Sequence, residues 1–273
     1  MRIEIVGNLI GPSCDFAHTL PARIPFVQHR SDDRLLAEVN IPDPCFWTPE
    51  LPFLYRAELE LRAGGGLSAK IDQTVGIRRL GIRGKSLFFE GKRFVLRGIH
   101  REFEISNLKS ELDRDAPLAR ESWTALVVRS PNDDLCDFAS RRGILLVADQ
   151  TQIDLSSGTL VPELRRLARY PAVAIAVIAS DVDLLAESHD IAPNLLLGQQ
   201  IAASEPIGLR PWARSAFAEV SDPAEFARKT TDCTLPIVAV RRAANASIEQ
   251  SRSACDALQR DLAPHGDFAG YIV

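Results

Sequence analysis

The sequence has no apolar run approaching the ~18–20 residues needed to span a bilayer. Its first residues lack the basic segment and apolar stretch of a secretory signal. The default expectation is therefore a cytoplasmic protein that does not engage membrane. Positive charge is not in excess: the net charge is −4 and the pI about 5.8. General nucleic-acid binding needs a basic footprint and is not expected. Basic pairs such as Arg165-Arg166 sit in helical stretches with acidic neighbours and read as solvated faces. Cysteine is sparse. Cys14, Cys45, Cys136, Cys233 and Cys255 are scattered and odd in number, so free thiols are expected, not a disulfide framework or a metal site. Also missing are a GxSxG elbow, a P-loop, GxGxxG, HExxH and CxxC, and no cofactor is expected.

What is present is ordinary globular material: 273 residues, 46 % apolar and 25 % charged. That suffices for one large domain, or a small one plus a barrel. Residues 1–84 read as all-β. Polar and apolar residues alternate in RIEIVG, LLAEVNI and LYRAELELRA, as they do in half-buried strands. Gly64-Gly65-Gly66 separates two of these strands, and Pro42, Pro44, Pro49 and Pro52 keep the intervening segment out of a helix. Such spacing predicts a short β-sandwich.

From Lys85 the pattern changes. SLFFEGKRFVLRGI predicts a hairpin turning at Glu90-Gly91-Lys92 and leading into a buried strand. Seven further apolar runs follow: 125–128, 144–148, 173–179, 206–209, 216–220, 236–240 and 268–273. Between them lie stretches with helical periodicity, among them DLCDFASRR, LVPELRRLARY, APNLLLGQQIAAS, PAEFARKTT and SIEQSRSACDALQRDL. Continuous apolar strands alternating with helices imply a parallel sheet. Eight such units predict a compact (β/α)8 barrel over 85–273, with an open doubly wound sheet as the alternative. The chain ends in the presumed eighth strand, so it reads as part of a longer polypeptide or as a barrel that closes without its last helix.

Several motifs resemble those of glycoside hydrolase family 2, the β-galactosidase and β-glucuronidase family. Trp47-Thr48-Pro49-Glu50, Pro52 and Leu54-Tyr55 resemble its W-x-P-E-x-P-x-L-Y. Gly76-Ile77-Arg78 is similar to its G-F-R, Glu90-Gly91-Lys92 to its Asn-Gly-Lys turn, and Leu96-Arg97-Gly98 to its L-R-G strand. Further on, Pro131-Asn132, Leu135-Cys136-Asp137-Phe138, Tyr170-Pro171-Ala172-Val173 and Leu235-Pro236-Ile237-Val238 fall in the family's order. The resemblance implies an immunoglobulin-like β-sandwich followed by a (β/α)8 TIM-type barrel, without the family's N-terminal sugar-binding jelly roll. These residues have an adequate structural explanation: Trp47 and Tyr55 as amphipathic rings, Gly76 and Gly91 as permissive backbone, and Arg78 as a planar fork joining the domains.

The resemblance also says where a site should be, and there the sequence departs from it. Retaining glycosidases need two carboxyl groups ~5–5.5 Å apart, at the C-terminal ends of barrel strands. The family's glutamates follow strands four and seven. Carried across, strand four ends in Ser180-Asp181, and strand seven presents Arg241, which cannot act as a nucleophile. No acidic residue lies between Cys233 and Ala246. The strand-two arginine and histidine map near Leu126 and Arg129, the strand-three Asp-Glu onto Asp149-Gln150, and the strand-four Trp onto Ala176. Asp181 is the candidate acid/base, or else a solvated carboxylate at a helix N-terminus. His100, Arg101, Asp149, Gln150, Ser180 and Glu219 are candidate ligand-binding residues at the rim, or else members of a salt-bridge network with Arg241 and Arg242.

Three readings follow. The first is a degenerate family 2 homologue without hydrolysis by paired glutamates, structural or carbohydrate-binding. The second is an active O-glycosyl hydrolase on β-linked sugars, with Asp181 as acid/base and Glu219 or Asp149 as nucleophile. The third is an interaction module within a longer polypeptide or oligomer, which predicts an exposed apolar patch.

Overall fold

The computed structural model describes residues 3–31, 34–103, 108–153, 158–184, 192–242 and 247–273. Two compact units are formed, Met1–Ile77 and Arg78–Val273. No helix among the described residues is long and apolar enough to cross a membrane.

The first unit is a small immunoglobulin-like β domain. Strands β1 (Ile3–Ser13), β2 (Ala22–Pro25), β5 (Leu54–Ala63) and β6 (Gly66–Val75) form an antiparallel sheet in the order β2-β1-β5-β6. Strands β3 (Val27–Ser31) and β4 (Arg34–Glu38) pair separately. The β5–β6 hairpin turns through Gly64 and Gly65, whose φ of +60° and +88° suit a two-residue type I′ turn. Leu9, Tyr55 and Ala57 lie on one sheet face and pack with Phe26, Val39, Ile41, Val75 and Ile77. The Tyr55 hydroxyl accepts the Cys45 amide at 2.8 Å, which gives the buried ring a polar partner.

The second unit opens with a three-stranded sheet of β7 (Leu80–Arg83), β8 (Ser86–Phe89) and β9 (Lys92–Phe94). Its second turn has φ of +49° at Glu90 and +75° at Gly91, so the hairpin lies at the Glu90-Gly91-Lys92 segment. Eight parallel strands then close a barrel: β10 (Leu96–His100), β11 (Thr124–Arg129), β12 (Leu146–Asp149), β13 (Val173–Ile178), β14 (Leu196–Ile201), β15 (Ser215–Glu219), β16 (Ile237–Val240) and β17 (Gly270–Ile272). Pairing of β17 with both β10 and β16 completes the cylinder. The helices are α1 (Leu108–Ser122), α2 (Asp133–Arg142), α3 (Leu160–Leu167), α4 (Pro223–Thr230) and α5 (Ile248–Leu262). Side-chain oxygens of Asn132, Asp222 and Ser247 cap α2, α4 and α5 by accepting amides three residues on.

Two assignments differ from the sequence reading. Strand five is Leu196–Ile201, inside the segment read as helical, whereas residues 206–209 are irregular. A short apolar run does not separate strand from buried helix by periodicity. Here Gln199 settles it: its side chain bonds Gly208 O and Arg210 N, so the irregular segment folds back along the strand. Second, α1 precedes β11, with Pro117 inside it, in a segment not read as helical.

Barrel strands alternate in facing. On β16, Ile237 and Ala239 pack outwards with Phe226, Cys255, Leu258 and Leu262, while Val240 lines a cavity at the barrel's C-terminal end. On β15, Ala216 and Ala218 face the same outer core, and Phe217 and Glu219 line the cavity. This period of two decides which residue at each strand end reaches the site.

Candidate functional site

Among the described residues, the cavity is lined by His100, Val127, Asp149, Thr151, Val177, Gln200, Phe217, Glu219, Val240, Arg242 and Ile272. Every strand of the barrel contributes, and the place is the strand C-termini, where barrel enzymes build their sites. Its volume open to water-sized molecules is about 30 Å³. Small-molecule sites are roughly 300–1,000 Å³, so the space accommodates about one water. Phe217 and the branched side chains of four other strands, Val127, Val177, Val240 and Ile272, fill the rest of the mouth.

The polar groups in it are few and mostly tied. Asp149 is 8 % exposed. Its Oδ1 accepts the Thr151 amide at 3.0 Å and the Thr151 hydroxyl at 2.6 Å. Glu219 Oε1 lies 3.9 Å from Arg242 Nε. The Nε2 of His100 is buried without a hydrogen-bond partner. Burial pushes the His100 pKa down, and the Arg242 charge adds to this; Asp149 opposes the shift and Arg129 reinforces it. The imidazole is therefore neutral at neutral pH, an acceptor or weak base walled by apolar side chains.

The candidates divide by strand facing. His100, Asp149 and Glu219 meet in the cavity, joined by Thr151, Gln200 and Arg242. Arg101 turns away to Asp115 on α1, which Arg114 also pairs from 2.9 Å, and its guanidinium stacks on Phe103. Gln150 is 2 % exposed and does not line the cavity; neither of its amide atoms has a hydrogen-bond partner among the described residues. Ser180 donates to Glu205 at 3.3 Å, and its carbonyl accepts Arg210 at 3.0 Å. Asp181 is exposed in the turn after β13 and does not line the cavity. The helix expected to follow it falls largely on residues outside those described. Arg241 also lies outside the cavity, with Nη1 2.6 Å from Asp261 on α5. Alternation along β16 sends residue 241 to the helix layer and residue 242 to the axis, so the arginine in the mouth is Arg242. Gln200 escaped the sequence reading because its segment was read as helical.

Arg78 donates from its two terminal nitrogens to the carbonyls of Pro171 and Asn194, the latter at 2.5 Å, before β13 and β14. Burial lowers its pKa to about 10, which leaves it cationic at neutral pH. The family's G-F-R arginine position is thus occupied by a fork that fixes two barrel loops.

Comparison with known proteins fits this frame. Residues 17–78 match the model of the glycosyl hydrolases family 2. A β-galactosidase of Oenococcus oeni is 33 % identical over 75 residues, 27 % of this chain and 7 % of that protein. One from Lactococcus lactis subsp. lactis is 35 % identical over 113 residues, 37 % of this chain and 11 % of that protein. A Bacteroides uniformis β-glucuronidase 2 structure, covalently bound to cyclophellitol-6-carboxylate aziridine, covers 99 % of this chain at a TM-score of 0.64 and 16 % identity. The chain spans 41 % of that protein's length. The family-model match lies almost wholly in the β domain, and the fold likeness extends over the barrel. The chain is thus similar to glycosyl hydrolases family 2 over residues 17–78, and shares the fold of β-glucuronidases along its length.

Proposed function

We propose that this chain is a degenerate family 2 homologue, structural or carbohydrate-binding, that does not cleave glycosides through paired carboxylates. One observation carries the reading: the axial cavity where Asp149 and Glu219 meet is about 30 Å³, an order of magnitude below a small-molecule site, and the roomier cavity of about 410 Å³ at the ends of β10 and β11 is lined by neither of them. A retaining mechanism needs a sugar seated between an acid/base and a nucleophile. Asp181 is outside this cavity, Arg241 is turned to α5, Asp149 is engaged by Thr151, and Glu219 faces a cation.

The test is hydrolysis of a panel of aryl β-glycosides, galactosides and glucuronides included, by the wild type and by Asp181→Ala, Asp149→Asn and Glu219→Gln. No turnover above the uncatalysed rate is expected from any of them. Wild-type turnover that one of these substitutions abolishes would overturn the proposal and identify a working carboxylate.

A further inference from the structure

Outside the barrel, the large apolar side chains that lie exposed are concentrated in the β domain, and two of them share one strand. Leu67 is 63 % and Ile71 53 % exposed, both on β6. Among the described residues β6 pairs only with β5, so it is a sheet edge with one side of its backbone unpaired. The opposite edge is different: β2 is four residues long and ends in Pro25, which blunts it. β6 runs for ten residues, GLSAKIDQTV, with no proline and no glycine beyond its first residue, and is regular from Ala69 to Val75, past a bulge at Ser68. A long edge of this kind is a template for another strand.

We infer that β6 pairs antiparallel with β6 of a second copy of this chain, about a two-fold axis through Ile71. The residue order is what selects this occupant. In that register Ile71 faces its own copy and Lys70 faces Asp72 twice; the bulge at Ser68, where Ala69 pairs with Leu61 but Leu67 with Arg62, ends the regular pairing. Opposite charges and apolar pairs are favourable cross-strand neighbours. A two-fold pairing needs such self-complementarity, in which residue i meets j and j meets i. The faces agree as well. Pairing within the sheet puts Ile71 beside Leu59, and Ala69 beside Leu61, which is itself opposite Ile5. A second copy would therefore extend that half-exposed apolar stripe. On the other face both Asp72 oxygens already accept from Arg56, Oδ1 from Nε at 2.8 Å and Oδ2 from Nη2 at 2.5 Å, and each keeps a lone pair for Lys70 of the second copy.

The experiment is sedimentation of the full chain across a concentration series, for the wild type, Lys70→Glu, and the double variant Lys70→Glu/Asp72→Lys. A monomer–dimer equilibrium is expected. Lys70→Glu sets two like-charged pairs at the axis and should weaken dimerisation by about tenfold; the double variant restores opposite pairs and should recover it. Lys70 and Asp72 are exposed, but Asp72→Lys also breaks the Asp72–Arg56 pair within the chain, so circular dichroism must show an intact fold before the dimerisation of the double variant is scored. Amide hydrogen exchange on the unmodified protein gives a second reading: protection of β6 should rise with concentration. A monomer at all concentrations, or a dimer indifferent to both variants with β6 protection unchanged, would overturn the inference.

Discussion

Arg242 Nε stands 3.9 Å from Glu219 Oε1 in the barrel mouth, whereas Arg241, its neighbour in the chain, places Nη1 2.6 Å from Asp261 on the outer helix α5. One cation therefore stands in the mouth, which the half-buried His100 also lines, and the other pins a helix.

Removal of Arg242 should raise the His100 pKa towards the ordinary ~6.5, because Arg242 is the largest charge contribution holding it down after burial itself. In the wild type the folded pKa lies below the unfolded one, so the unfolded chain takes up the proton first as pH falls. The stability from keeping His100 neutral is thus fully present above about pH 6.5, and it is lost as pH falls from there through the folded pKa. Arg242→Gln should shrink that loss. NMR titration of the imidazole, paired with denaturant unfolding across the same pH range, reads both effects. An unmoved His100 pKa would show that burial alone sets it.

Arg78 holds two carbonyls with one planar group. Arg78→Lys keeps the charge but cannot reproduce the fork, and should cost about 1–3 kcal/mol. The measurement is the denaturation midpoint. An unchanged midpoint would mean that water serves the Pro171 and Asn194 carbonyls equally well.

Barrel closure depends on a glycine. A Cβ at Gly270 would lie 2.7 Å from both the Cβ and the carbonyl oxygen of Leu96 on β10, across the seam between the last strand and the first. Gly270→Ala should therefore destabilise the barrel by about 1–3 kcal/mol, read as a lower Tm.

Much of the architecture was legible because its signals are local. The I′ hairpin at Glu90-Gly91 and the continuous apolar run of β13 each carry their own physical cause. Where tertiary context decides, the sequence was ambiguous. Leu196–Ile201 is a strand because its neighbours in the barrel pair with it, and a helix would bury its leucines equally well. The site was legible only to within one residue. His100, Asp149 and Glu219 reach the cavity, while Arg101 and Gln150, each adjacent to one of them, do not. Strand facing is fixed by register around the closed barrel, and a single-residue shift exchanges the axis for the helix layer.

The central claim is that the barrel does not form a glycosyl–enzyme intermediate, and intact-mass spectrometry after incubation with a cyclophellitol-type aziridine tests it most directly. Such a reagent becomes bonded to a carboxylate nucleophile in a working retaining site. The account predicts an unmodified mass for the wild type under conditions in which an active β-glucuronidase is fully labelled. A single added probe, mapped by peptide sequencing to Asp149, Asp181 or Glu219, would contradict it.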